Sequence, residues 1–218
     1  MTLALFDLDN TLLAGDSDHA WGEFLVHKEC VDVEAYRRHN DQFYRDYERG
    51  SLDIHSYLAF ALEPLARLEP RQLEALRREF MRDCIEPLIL PRAEQLLAEH
   101  KARGHTLLII TATNRFITQP IAERLGVEHL LATEPESNAH GYTGRVAGIP
   151  CFQQGKVKRL EDWLAREPHP LEQTWFYSDS NNDLPLLEVV GHPVAVDPDS
   201  ALEQSARARG WPVISLRN

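Results

Sequence analysis

Cysteine is scarce in this chain: Cys30, Cys84 and Cys151 lie far apart and form no CxxC pair. An odd, sparse set does not make a disulfide framework and fits a reducing compartment, so a cytoplasmic protein is expected. No basic leader opens the sequence, and the apolar run Leu3 to Phe6 is stopped by Asp7, which argues against a signal peptide. No apolar stretch approaches the ~20 residues needed to cross a bilayer, so no membrane partner is expected. Positive charge is in deficit as well, with 23 Lys and Arg against 34 Asp and Glu and a net charge of −11. A field of that sign repels polyanions and makes nucleic acid an unexpected partner; a small phosphorylated metabolite stays open, because a bound divalent cation reverses the local potential. The histidines are scattered without an HxH or HExxH pairing, so no zinc site is expected. Internal repeats and low-complexity linkers are absent too.

What is present is enough apolar residue, 43% of 218 positions, to bury a core. Residues 3–8 (LALFDL) read as a buried strand whose carboxyl end opens on an acid. Residues 16–85 change character, with charge and aromatics dominant and Trp21, Phe24, Leu25, Tyr36, Phe43, Tyr44 and Tyr47 at helical spacing. Three or four helices are expected there. From Pro91 helix and strand alternate: a helix over 91–103 with Pro at its start and Gly104 past its end, then a strand over 106–111. A helix near 117–125, a strand at 128–133, and a hairpin or flap over 141–152 follow. A helix over 155–166, a strand at 174–178, a helix over 183–190 and a strand at 193–196 complete the pattern. The fold class is therefore α/β, a Rossmann-like, doubly wound parallel sheet covered on both faces. Residues 1–15 and 86–218 form its core domain and 16–85 a helical insertion.

Ligands in such sheets bind beyond the carboxyl ends of the strands, and those ends carry the polar chemistry here. Asp7 and Asp9 in DLDNT place two carboxylates at i and i+2 on leaving a buried strand, which suits nucleophilic attack and proton transfer beside a cation. The same residues also serve ordinary turns. Asp179 and Asp183 in DSNND follow the apolar strand WFYS, where acids offer a metal ligand or cap the next helix. Thr111 ends LLIIT and leads into Ala112, so a hydroxyl and free backbone N–H groups there could hold phosphate oxygens or simply end a strand. Lys156, after Gly155 at a helix start, could set an ammonium on a phosphoryl group or stay solvated.

Together and in this order, DLDNT at 7–11, IIT at 109–111, Lys156 and DSNND at 179–183 resemble the signature of the haloacid dehalogenase superfamily. The resemblance spans nearly the whole chain and implies a magnesium-dependent phosphatase. On it, Asp7 is the nucleophile that forms an aspartyl-phosphate, and Asp9 is the general acid and then the base. Asp7, Asp9 (through its main-chain carbonyl) and Asp179 would hold Mg²⁺. Thr111, Ala112, Lys156 and Asn182 would bind the phosphoryl oxygens, with Asp183 and Thr11 in support. Asp9 separates phosphatases and phosphomutases from members that displace halide. The insertion after the first motif is similar to the helical C1-type cap of subfamily IB, the phosphoserine-phosphatase-like branch, which would exclude water and choose the substrate.

Departures from that branch narrow the expected substrate. Asp16 keeps the cap acid, which suits an amine, whereas Ala61 stands where the branch places an arginine for a carboxylate, and Thr111-Ala112-Thr113 replaces Ser-Gly-Gly. An unpaired buried carboxylate is costly, so phosphoserine is disfavoured and an amino-alcohol phosphate such as histidinol phosphate fits better. Asp16 and His19 are the first candidates for substrate contact, then Trp21, Asn40, Phe43 and Tyr47. A phosphoserine phosphatase and a phosphotransferase or phosphomutase are the rival enzymes. A receiver-like signalling module also uses acids, Thr and Lys, but needs neither this length nor the insertion. A monomer or homodimer acting on a small phosphorylated metabolite is the overall expectation.

Overall fold

A computed structural model of the chain describes residues 2–217. Its centre is a seven-stranded sheet of order β4-β3-β2-β1-β5-β6-β7. The strands are β1 Leu3–Phe6, β2 Thr106–Asn114, β3 His129–Asn138, β4 Gly141–Ala147, β5 Trp175–Ser178, β6 His192–Val196 and β7 Val213–Ile214. All pair in parallel except β4, which runs antiparallel to β3. The helices are α1 Ser17–His27, α2 Val33–Glu48, α3 Ile54–Arg67, α4 Pro70–Phe80, α5 Pro91–Ala102, α6 Arg115–Arg124, α7 Gln154–Leu164, α8 Leu184–Leu187 and α9 Ser200–Arg209.

Strand β1 shows why the sheet is central. Its four residues LALF are fully buried, and they alternate between two apolar clusters. Leu3 and Leu5 join Leu108, Ile110, Phe176 and Leu187 on one face, while Ala4 and Phe6 join Ile109, Ala132, Tyr177 and Val194 on the other. Alternation of side chains along a strand thus buries both faces, as a doubly wound sheet requires. The chain passes from β1 to β2 on one side and reaches β5 on the other, so a crevice opens at the carboxyl end of β1.

Between β1 and α5 lie α1 to α4, a π turn Met81–Ile85 and a 3₁₀ turn Glu86–Leu88. Asp16, Asp32 and Asp53 start the first three helices by accepting backbone N–H groups. The connections into and out of this segment run side by side: Ala14 N donates to Leu88 O at 2.7 Å, beside an antiparallel bridge between Leu13 and Ile89. Trp21, Phe24, Leu62, Leu65 and Phe80 belong to the same apolar cluster as Phe6, so these helices share a core with one face of the sheet.

Several boundaries differ from the sequence reading. Strand β2 runs on to Asn114, but its register with β3 shifts between Ile110 and Asn114, which releases Thr111 from regular pairing. Residues 141–147 are the second arm of a hairpin, not a separate flap: β3 extends to Asn138 and pairs with them antiparallel as the sheet edge. The helix expected over 183–190 is a 3₁₀ turn Asn181–Asp183 followed by the short α8, with Pro185 in its first turn. Helix α9 and strand β7 were not anticipated; Asp199 caps α9 and Gly210, at φ +69°, ends it.

Candidate active site

Asp7 follows β1 directly, its N–H still donating to Tyr177 O at 2.9 Å, so the ladder with β5 carries it to the crevice. Its carboxylate is buried and accepts from Lys156 Nζ at 2.9 Å. Lys156, in the first turn of α7, also donates to Asp183 at 2.8 Å, and Ser178 Oγ donates to the same Asp183 oxygen at 2.7 Å. One lysine therefore serves two buried acids. Burial pushes Asp7 up to about 7, Lys156 opposing and Asp183 adding to the rise. Burial would discharge Lys156, but Asp183 and Asp7 outweigh it and hold the ammonium above its ordinary range.

Thr11 and Asp179 close the other side. Thr11 Oγ1 donates to Asp179 Oδ1 at 3.0 Å and accepts from Asp179 N at 3.0 Å, joining the loops after β1 and β5. Burial, then the charges of Asp7 and Asp183, raise Asp179 well above an ordinary carboxylate. Asp7 and Asp179 are thus two hard oxygen donors without enough positive charge between them. That donor set fits a divalent cation such as Mg²⁺. Among the described residues the one tight group of metal-type side chains lies elsewhere, His19, Glu23 and Asp41 on α1 and α2. There Arg37 already faces Glu23 at 3.4 Å, and Asn40 occupies His19 Nδ1.

Asp9 is held separately. Ser17 N, at the start of α1, donates to its Oδ1 at 2.7 Å; Thr113 Oγ1 donates to Oδ2 at 2.8 Å, while Thr111 Oγ1 stands at 3.5 Å. Burial pushes Asp9 up to about 6, with Asp16 adding to the rise. A carboxyl that titrates near neutrality can both give and take a proton, which suits an acid and base.

A cavity opens from these residues toward the helices. Asp7, Asp9, Thr111, Ala112 and Thr113 form its floor; Asp16, Asp18, His19, Asn40, Phe43, Tyr44, Tyr47 and Tyr57 form most of its walls, and no Lys or Arg lines it. The His19 ring packs against Tyr44, with centroids 4.7 Å apart and the planes tilted by 32°. Asn40 Nδ2 donates both to His19 O and to His19 Nδ1, each at 3.0 Å. Because the carbonyl can only accept, that amide atom is the NH₂ group and Nδ1 is the acceptor.

Of the residues singled out in the sequence, Asp7, Asp9, Asp16, His19, Thr111 and Ala112 meet at the cavity. Lys156, Asp183, Asp179 and Thr11 stand behind and beside it. Asn182 turns elsewhere: its Nδ2 donates to Tyr47 O at 3.1 Å and its Oδ1 accepts from Gln153 at 3.1 Å, tying α2 to the loop after β5. Trp21 lies in the apolar core, 5.1 Å from Phe80 and 5.6 Å from Phe116. Sequence reasoning gave no role to Thr113, although its spacing of two from Thr111 on a strand puts both on one face. Ser17, Asp18 and Tyr57 carried no local signal.

The chain matches the family model of haloacid dehalogenase-like hydrolases over residues 4–188. It is 45% identical over 219 residues to a histidinol-phosphatase of Neisseria meningitidis serogroup C, covering 99% of both chains. A crystal structure of a protein of unknown function from Bordetella pertussis superposes with a TM-score of 0.92 at 45% identity, over 99% of this chain and 98% of that one. A substrate-bound phosphoserine phosphatase shares the fold alone, with a TM-score of 0.74 at 19% identity over 99% and 93% of the two chains. Family model, whole-length relative and fold agree, and the chain belongs to the haloacid dehalogenase-like hydrolases.

Proposed function

We propose that this hydrolase is a magnesium-dependent phosphatase that cleaves histidinol phosphate, or a close amino-alcohol phosphate, through an aspartyl-phosphate at Asp7. One observation carries the substrate class: the cavity above Asp7 and Asp9 is walled by Asp16, Asp18 and aromatic rings and is lined by no Lys or Arg. Such walls favour a ligand that brings its own positive charge, and they offer nothing to pair with a carboxylate such as that of phosphoserine. Ala61, where the resemblance would place an arginine, is buried on α3 outside that lining. Whole-length likeness to a histidinol-phosphatase points the same way.

In this reading the Asp7 carboxylate attacks phosphorus while the ester bond to the leaving alcohol breaks. Asp9, oriented by Thr113 and by Ser17 N, gives the alkoxide its proton. It then takes a proton from the water that hydrolyses the acyl phosphate, which returns Asp7 and releases phosphate. Lys156 orients the nucleophile and faces the phosphoryl oxygens, with Thr111 and the backbone at Ala112 alongside. Mg²⁺, held by Asp7, Asp179 and the Asp9 carbonyl, would neutralise charge on those oxygens. Residues 16–85 act as a cap that excludes water and selects the substrate, with the Asp16 carboxylate facing the substrate amine. The free cysteines suit a cytoplasmic enzyme.

The test is phosphate release from a panel holding histidinol phosphate, phosphoserine and p-nitrophenyl phosphate, with and without Mg²⁺. Histidinol phosphate is expected to lead by kcat/KM, Asp7→Asn to abolish turnover, and radiolabelled phosphate to be trapped on the protein. Preference for phosphoserine, or transfer to added alcohols in place of water, would overturn the reading.

A further inference from the structure

The two acids of the cavity wall are not equivalent. Asp16 is committed to the fold, its Oδ1 accepting from Asp18 N at 2.9 Å and from His19 N at 2.8 Å as the N-cap of α1. Asp18 does not share that duty. It is 8% exposed, it lines the cavity, and among the described residues no backbone N–H, Lys or Arg donates to its carboxylate. The group facing it is the hydroxyl of Tyr57 on α3. A carboxylate this buried ordinarily has several donors or a cation, because desolvation without them is costly. Asp18 lines the cavity together with Tyr57, Phe43 and Ile54.

Asp16 ends the loop that carries Asp7 and Asp9, whereas Asp18 stands in the first turn of α1, on the cavity wall. Resting on the function proposed above, we infer that Asp18 with Tyr57 is the specificity-determining site for a second nitrogen of the substrate. That nitrogen is an N–H of a flat, basic ring at the end of the molecule remote from the phosphoryl group. The chemistry is complementary on both counts. An anionic acceptor takes a ring N–H as a charge-assisted hydrogen bond, and aromatic walls take the ring faces. A substrate with one amine and an uncharged side chain satisfies Asp16 and leaves Asp18 buried against an apolar surface.

A matched pair of ligands isolates this contact. Histidinol phosphate and phenylalaninol phosphate share the amine, the chain and the phosphate, and differ in imidazole against phenyl. Their dissociation constants are measured by calorimetry in the Asp7→Asn background, where neither ligand is consumed. The expected ratio favours the imidazole by roughly ten- to a hundred-fold, the range of one charge-assisted hydrogen bond. Adding Asp18→Asn, or separately Asp18→Leu, collapses the ratio toward one, and Tyr57→Phe lowers it. Taking the ratio within each protein cancels losses common to both ligands, and thermal unfolding of each variant identifies any that is not folded; Leu covers Asn in that case. The inference is overturned if Asp7→Asn binds the two ligands equally, binds histidinol phosphate undetectably, or keeps its preference in both Asp18 variants. Poor turnover of histidinol phosphate by the unmodified enzyme, with the binding preference intact and dependent on Asp18, sinks the proposed reaction and leaves this assignment standing.

Discussion

Replacing Thr113 with Val tests whether Asp9 is the acid and base. The side chain is buried at 4% exposure, and valine matches its shape, so the change removes a donor without opening a cavity. What is lost is the 2.8 Å bond from Thr113 Oγ1 to Asp9 Oδ2. Thr111 Oγ1, at 3.5 Å from the same oxygen, is too far to replace it, and Ser17 N serves the other oxygen. A hydrogen bond to an ionised carboxylate is worth about 1.5–3 kcal/mol, which corresponds to roughly a ten- to hundred-fold fall in kcat. KM should stay within about three-fold, because the lost bond orients a proton-transfer group and touches no ground-state contact. Steady-state phosphate release with histidinol phosphate and Mg²⁺ reads both constants, and Thr113→Ser should recover most of the rate. If Thr113→Val keeps at least half of kcat, or if Ser rescues nothing, the assignment of Asp9 and its orienting partner is wrong.

Three other substitutions probe the frame behind the site. Lys156→Met leaves Asp7 and Asp183 buried without their shared cation, so urea unfolding should show a loss of about 3–5 kcal/mol; a loss under about 1 kcal/mol would contradict the geometry. Gly155→Ala places a Cβ 2.0 Å from Pro150 O, which forces the turn before Lys156 to shift. About 3 kcal/mol of stability and most of the turnover should go, and unchanged values of both would refute that account. His100 is buried between Tyr177, whose hydroxyl lies 2.9 Å from Nε2, and His105, and burial lowers its pKa to about 4. Because the folded value is depressed, its contribution is complete above the unfolded pKa of ~6.5 and is lost as pH falls toward 4. At pH 5 the loss is about 2 kcal/mol, so the stability advantage of the native enzyme over His100→Gln should shrink by that amount between pH 7.5 and 5; a constant difference would contradict it.

The residues legible in the sequence are those whose position follows from local pattern. LALF, LLII and WFYS are apolar runs short enough to be buried strands, and each delivers its polar residue at a carboxyl end. Asp7, Thr111 and Asp179 could therefore be placed before any contact was known. Three kinds of information were not local. Thr113 acts because β2 continues past its shift in register, so a strand face persists where the pattern suggested a loop. Asp18 and Tyr57 line the same cavity from different helices, α1 and α3, which no spacing along one helix encodes. Asn182 looked like part of the phosphate site from its place in DSNND, yet its amide is spent on Tyr47 O and Gln153. In each case the deciding partner lies on another element.

Charge connects the proposed metal to the proposed substrate. Asp7, Asp9, Asp16, Asp18, Asp179 and Asp183 converge on one crevice, and among the described residues Lys156 is the one cation bonded to them. A phosphate dianion entering that field meets repulsion from both ends. A like charge about 4 Å away costs on the order of 4 kcal/mol at an effective dielectric near 20, equal to about three decades of affinity. On the phosphoryl side Lys156 offsets it, and under the proposed function a divalent cation held by Asp7 and Asp179 would add to this. On the wall of α1 the protein supplies no cation, so compensation has to come from the ligand. A phosphomonoester with a basic amine and a basic ring supplies it at Asp16 and at Asp18. One that carries a carboxylate instead adds a second unpaired anion where two acids already stand. Under the proposed function, substrate selection and metal dependence are two consequences of a single excess of buried carboxylate.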